Sequence, residues 1–181
     1  MDTITLPDRD QLYVIVGGRQ VTSKLLNLAA RLALRGPLFI LDCGNLANPY
    51  PLARELRRIT RDPVAALQRI QVARAFTCYQ VVTLLQEVSE RRVQSPVLIF
   101  DLLSTFYDES VPYREGLRLL EQSLDCIRGL HSRVSQAVSV RPPPGEFPER
   151  RAFLQEVCNL ADVLWVEEAP AEITPQQLAF F

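Results

Sequence analysis

Apolar runs of strand length alternating with amphipathic helical patterns predict an α/β fold, with a mostly parallel central sheet and helices on both faces. Three observations carry that prediction. Continuous apolar runs recur at Leu12 to Val16, Leu38 to Leu41 and Val97 to Phe100; apolar residues at helical spacing follow them; and glycine or proline turns separate the segments. At 181 residues and 48% apolar side chains the chain can bury one substantial core and is short for two, so one domain over residues 1–181 is expected.

The first run, Leu12 to Val16, ends in Gly17-Gly18, which suits a strand buried on both faces and then a tight turn. A helix is predicted after Thr22 and Ser23, either of which can cap it. Leu25, Leu28, Ala29 and Leu32 form its apolar stripe, and Gly36-Pro37 stops it. Leu38 to Leu41 is the second strand, Asn48-Pro49 starts the next helix, and Leu52, Leu56 and Ile59 share one of its faces. Ile70 to Val72 is read as a short third strand, with Val81, Leu84, Leu85 and Val88 marking the helix after it. Val97 to Phe100 is the fourth strand, and Leu117, Leu120, Leu124 and Ile127 define a long amphipathic helix. Val134 to Val140 is a strand ahead of the breaker Pro142-Pro143-Pro144-Gly145, Phe153, Val157 and Leu160 mark a helix, and Val163 to Val166 is the last strand.

With 20 basic and 21 acidic residues the chain has no general attraction for nucleic acid or an anionic membrane, so DNA binding would need a local patch. MDTITLPDRD has neither the basic start nor the apolar run of a signal peptide, and no stretch reaches the roughly 18 apolar residues of a membrane span; a cytoplasmic protein without a membrane partner is expected. Cys43, Cys78, Cys126 and Cys158 are far apart with only His131 as an imidazole partner, which suits reduced, mostly buried thiols rather than zinc. Arg54, Arg57, Arg58 and Arg61 cluster on and just after the second helix and could contact a phosphate backbone, but with Leu52, Leu56 and Ile59 facing inward the solvated side of an amphipathic helix is the preferred reading. Asp108, Glu109 and Glu115 read as solvent-facing or capping groups, His131 as a helix-end residue, and Tyr79 and Phe106 as packing aromatics.

Ligands of open parallel sheets sit at the carboxyl ends of the strands, which directs attention to Gly17 to Lys24. From Gly18 to Leu25 the chain lies over the phosphate-loop pattern G-x-x-x-x-G-K-[ST] with two departures: Ser23 replaces the second glycine and Leu25 the metal-holding hydroxyl. Lys24 stands at the phosphate-binding position and is the only lysine in the chain. Gly18, Thr22, Ser23 and Lys24 are therefore the candidate nucleotide-binding residues. The same residues also suit a plain strand-to-helix turn, and the sequence leaves the two readings level.

The order of segments resembles the core of the RecA-like recombinases, P-loop NTPases with a three-layer fold, and in particular the archaeal and eukaryotic branch and its paralogues. Besides the altered loop, Arg69 to Gln80 (RIQVARAFTCYQ) is similar to the family's segment before its third helix. Pro96 to Asp101 (PVLIFD), followed by LLSTFY to Tyr107, looks like a Walker B strand and the linker after it. The resemblance implies ATP as ligand and Mg²⁺ held by Asp101. It also implies a general base after the second strand, where this chain offers Asp42-Cys43-Gly44-Asn45 and no glutamate before Glu55. Arg141 precedes a short, stiff proline loop where the family has a polar sensor and a mobile DNA-binding loop.

These departures lead to the expectation of a degenerate ATPase core. It would bind nucleotide weakly, hydrolyse it poorly or not at all, and act through protein partners, such as a recombinase or repair complex, with DNA contacts weak. The alternative is an active Mg-dependent ATPase in which Lys24 and Asp101 work with the ion and Asp42 or Arg141 assists.

Overall fold

A computed structural model describes residues 11–167 except 92, 144, 146 and 147. The first ten residues, Pro144 of the proline run and the segment from Ala169, all used in the sequence reading, lie outside the described residues. Six strands form one all-parallel sheet: β1 (Leu12–Val16), β2 (Leu38–Asp42), β3 (Ile70–Arg74), β4 (Val97–Phe100), β5 (Gln136–Val140) and β6 (Val163–Val166). Their order across the sheet is β3-β2-β4-β5-β1-β6. The helices are α1 (Arg19–Arg35), α2 (Pro49–Ile59), α3 (Pro63–Gln68), α4 (Cys78–Glu90), α5 (Tyr113–His131) and α6 (Arg151–Asn159).

Two apolar clusters sandwich the sheet because successive strand residues point to opposite faces. Leu38 and Ile40 of β2 and Leu98 and Phe100 of β4 pack under α1, α2 and α3. Phe39, Leu41, Val97 and Ile99 alternate with them and pack under α4, α5 and α6. Both faces being covered, the central strands β2, β4 and β5 are buried throughout. The three-layer α/β architecture expected from the sequence is therefore present. No helix among the described residues is long and apolar enough to cross a membrane.

Strands β2 and β3 run one and two residues beyond their expected ends, to Asp42 and Arg74, and three further elements differ. Helix α1 begins at Arg19, three residues before Thr22, with Gly18 at its N-cap and no side-chain cap. The cause is Val21, which is 1% exposed and sits four residues before Leu25 on the same buried stripe, so its burial draws the preceding turn into the helix. Helix α3 has no counterpart in the reading; its six residues carry one buried side chain, Ala66, too short a pattern to show periodicity, although Asp62 caps it through Ala65 N–H and Pro63 opens it. Strand β5 starts at Gln136 rather than Val134, because Arg133 and Val134 donate back to the Leu130 carbonyl in the turn that ends α5.

Chain direction creates a crevice. The connection after β2 leaves toward β3 on the α1–α3 face, and the one after β4 leaves toward β5 on the α4–α6 face, so the carboxyl ends of these neighbouring strands form a topological switch point. Asp42 and Asp101 stand there.

Phe153 anchors α6 to the α4–α6 layer. It is fully buried, meets Phe106 edge-on at 6.4 Å between centroids and stacks on Tyr113 at 5.2 Å. Phe153→Ala is expected to cost about 3–5 kcal/mol, read by urea denaturation, with the two-state slope unchanged.

Candidate functional site

The strands β3, β2, β4 and β5, adjacent in that order, end in or are followed by Arg74, Asp42, Asp101 and Arg141. Two carboxylates therefore lie side by side at the switch point, with one guanidinium outside each. Unpaired, two buried carboxylates this close would repel and be poorly solvated; paired, each is offset by its neighbour.

Asp42 is fully buried and both its oxygens are used. Oδ1 accepts from Leu46 N–H at 2.8 Å, and Oδ2 accepts from Ala47 N–H at 3.1 Å and from Arg74 Nε at 3.0 Å. The carboxylate thus holds the 43–48 turn that leads to α2, whose own cap is Asn48 accepting from Tyr50 N–H at 2.9 Å. With three of its roughly four acceptor sites taken and the carboxylate fully buried, Asp42 is placed first of all as an anchor of this turn.

Asp101 is 1% exposed and takes a left-handed backbone, φ 52°, which turns the chain from β4 into a 3-10 turn at Ser104–Tyr107. Aspartate tolerates this region better than most residues. Its N–H donates to Ser139 Oγ at 2.9 Å, and its Oδ2 accepts from Arg141 Nε at 2.7 Å and also meets that guanidinium's terminal nitrogen. The Arg141 carbonyl in turn accepts from the Tyr107 hydroxyl at 3.0 Å. Burial, followed by the Asp101 charge, pushes the Tyr107 phenol well above its ordinary range, so it stays a neutral donor. Asp101 Oδ1 is buried without a partner.

Gly44 closes the crevice over Asp101. A Cβ at residue 44 would lie 2.5 Å from Asp101 Oδ2 and 2.7 Å from its Cβ, so the turn after β2 can approach only without a side chain. Between the two aspartates, Cys43 is 2% exposed; burial first, then Asp42 and Asp101, drive its thiol far above the usual range, which makes it unreactive. All four cysteines are free, Cys43 and Cys78 buried and Cys126 and Cys158 half-buried.

The residues aligned with the phosphate loop are arranged differently from a loop. Thr22, Ser23 and Lys24 lie inside α1, where successive side chains point about 100° apart and cannot converge on one ligand as residues of an open loop do. Gly18 has φ −94°, and a Cβ there would meet nothing within 4 Å, so glycine is not required at that position. Gly17 is the constrained one: a Cβ on it would stand 2.6 Å from Val21 Cγ2 and 3.0 Å from Glu167 Cβ. Lys24 Nζ bonds Glu167 Oε1 at 2.6 Å, just past β6, and lies 4.1 Å from the centroid of the Trp165 ring. The lone lysine thus has two partners 141 and 143 residues away in sequence.

These residues do not fit a resident Mg²⁺. The ion keeps several waters and needs one or two carboxylates or hydroxyls beside the phosphates; the cluster offers one unpartnered oxygen, Asp101 Oδ1, which is buried, with Oδ2 on Arg141, and Leu25 at the hydroxyl position is fully buried in the core. Among the described residues no three His, Cys, Asp or Glu side chains gather as a metal set.

The sequence reading brought out Asp42, Asp101, Arg141 and Lys24 but missed their partners Arg74 and Glu167 and the packing role of Gly44. A signal was present: five of the six strands end in or are followed at once by a charged residue, and β1 alone is followed by glycine. Phe106 is fully buried, as expected of a packing aromatic, whereas Tyr79 is 50% exposed and packs little, because it lies on the outer side of α4, away from the buried Cys78, Val81 and Val82.

Asp42→Ala is expected to destabilise by about 3–5 kcal/mol, since it strands two backbone donors and the Arg74 charge; Asp42→Asn, which retains one acceptor oxygen, is expected to cost less. Gly44→Ala is expected to be destabilising too, although its site is a turn. Chemical denaturation of the three variants checks the order.

The sequence matches no protein-family model and no curated protein.

Proposed function

We propose that this chain is a RecA-like core domain that has exchanged the chemistry of its nucleotide site for structure. On this reading it acts in DNA recombination or repair through protein partners, binds ATP weakly, and hydrolyses it poorly or not at all. The observation that carries the reading is that each side chain the resemblance would assign to chemistry already has an internal partner: Asp42 has Arg74 and two backbone N–H groups, Asp101 has Arg141, and Lys24 has Glu167 and Trp165.

Phosphoryl transfer needs a cation clamp on the phosphates, a metal and a group that orients the attacking water. A nucleotide would first have to compete with Glu167 for Lys24, and then to find a base where both Asp42 oxygens are occupied. What remains for an anion is the amino end of α1, which has free first-turn N–H groups and no acidic residue in that turn. That supports weak binding without turnover.

The sheet edges support assembly. Strand β3 pairs only with β2 and β6 only with β1 among the described residues, so each leaves one side of its backbone unpaired. Val72, Phe76 and Tyr79 are exposed at and beyond the β3 edge, and Leu164 and Val166 on β6. Open edges flanked by apolar side chains are where an extended segment of another protein adds a strand.

Thermal unfolding with Mg-ATP, Mg-ADP and EDTA tests the nucleotide part. A site with a Kd of about 1 mM adds only ~0.4 kcal/mol at equal ligand concentration, a shift of ~1 °C in wild type. Glu167→Gln frees Lys24 and is expected to enlarge that shift, and Lys24→Ala to erase it. A lysine-dependent shift of several degrees in wild type, together with phosphate release, would instead establish the ATPase. The partner part is checked by co-sedimentation with a RecA-class recombinase, expected for wild type and lost in the Val72→Asp/Phe76→Glu double variant.

A further inference from the structure

The near-neutral net charge conceals a division between the two faces of the sheet. Helices α1, α2 and α3 carry seven basic residues and one acidic, whereas α4, α5 and α6 carry four basic and six acidic. The sequence reading treated Arg54, Arg57, Arg58 and Arg61 as an ordinary solvated helix side, which an amphipathic helix produces with either sign of charge. The structure adds neighbours of the same sign. Helix α1 packs on α2, and Glu55, the one carboxylate of these helices, is held below the usual carboxylate range first by its hydrogen bond from Arg58 and then by the charges of Arg58, Arg31 and Arg54. Arg58 is bound to Glu55 through two hydrogen bonds, at 2.6 and 3.0 Å. Among the described residues Arg31, Arg35, Arg54, Arg57 and Arg61 are exposed and make no ion pair.

An aromatic ring stands in the same stripe. Tyr50, in the first turn of α2 behind the Asn48 cap, is 83% exposed, the most exposed large apolar side chain described. Tyr50, Arg54 and Arg57 fall at i, i+4 and i+7, directly opposite the buried Leu52 and Leu56, so ring and guanidinium groups line one outward ridge about 10 Å long. Pro49 and Pro51 flank the ring and stiffen its backbone.

We propose that this ridge of α2, flanked by Arg31 and Arg61, binds single-stranded nucleic acid, the arginines neutralising phosphates and Tyr50 stacking on an unpaired base. An exposed ring interleaved with unpaired arginines matches a single strand, which displays base faces, better than a duplex, whose bases are stacked inside. It also matches it better than a lipid surface, which calls for an apolar helix face, and the apolar face of α2 is buried in the core. The ridge starts two residues past the turn that Asp42 holds but uses none of the switch-point side chains, and it stands whether or not a nucleotide binds.

Fluorescence anisotropy of a labelled oligo-dT 20-mer across a salt series tests this. Wild type is expected to bind, with log affinity falling linearly with log salt. Arg54→Glu/Arg57→Glu is expected to abolish binding at 100 mM salt with thermal unfolding unchanged. Arg54→Gln/Arg57→Gln is expected to flatten the salt slope by about 1.4, from two lost phosphate contacts. Tyr50→Ala is expected to weaken binding about tenfold and leave the slope intact. The proposal is overturned by no binding to the oligonucleotide, by binding that survives the charge reversal, by a Tyr50→Ala variant that binds as wild type, by equal or tighter binding to the matching duplex, or by capture on phosphatidylserine vesicles in place of the oligonucleotide.

Discussion

The ion pairs of Asp42 with Arg74 and of Asp101 with Arg141 govern the carboxyl edge of this sheet. A parallel sheet covered on both faces has to bring its strand ends and the polar turns after them together at one rim, and here that rim sits between two largely apolar layers. Two carboxylates at the switch point would be costly alone. Because β3 flanks β2 and β5 flanks β4, the strand order itself supplies a cation to each. The strands then fix the turns: Asp42 orders residues 43–48 and so the start of α2, while Asp101, in its left-handed conformation, launches the 3-10 turn that ends at Tyr107. Gly44 lets these two turns meet.

The same arrangement bears on function. Asp42, Asp101 and Lys24 are each paired within the fold, and of the four aspartate oxygens only Asp101 Oδ1 is left without a partner. At the other end of the sheet Glu167 and Trp165 do for Lys24 what the arginines do for the aspartates. Satisfied polar clusters rigidify the structure around them. A domain built this way is suited to presenting surfaces, and those it presents are unlike one another: open sheet edges with apolar side chains, and a basic ridge with an exposed tyrosine.

Local sequence went furthest where the structure is locally determined. Strands β4 and β6 lie where their apolar runs put them, and α2 begins at Asn48-Pro49, because burial on both faces and a proline-backed cap are written in adjacent residues. The start of α1 was misplaced because Thr22 and Ser23 look like caps, while the deciding fact, the burial of Val21, depends on layers that pack only in three dimensions. The motif at Gly18 to Lys24 lies at the β1–α1 corner, where the chain is helical from Arg19 instead of forming an open loop. Arg74 and Glu167 were passed over since what they do depends on partners 32 and 143 residues away. The arginines of α2 looked bland for a similar reason: Arg31, which makes them a patch, is on another helix.

The charges at the strand ends hold the carboxyl edge of the sheet together. A double-mutant cycle of Asp101→Asn with Arg141→Gln, followed by urea denaturation, tests it most directly, since asparagine also accepts the left-handed backbone at 101. Each single change is expected to destabilise, with the pair coupled by about 2 kcal/mol in the native state. Coupling near zero, with Asp101→Asn more stable than wild type, would contradict it and mark Asp101 as a residue kept at a cost to stability for chemistry.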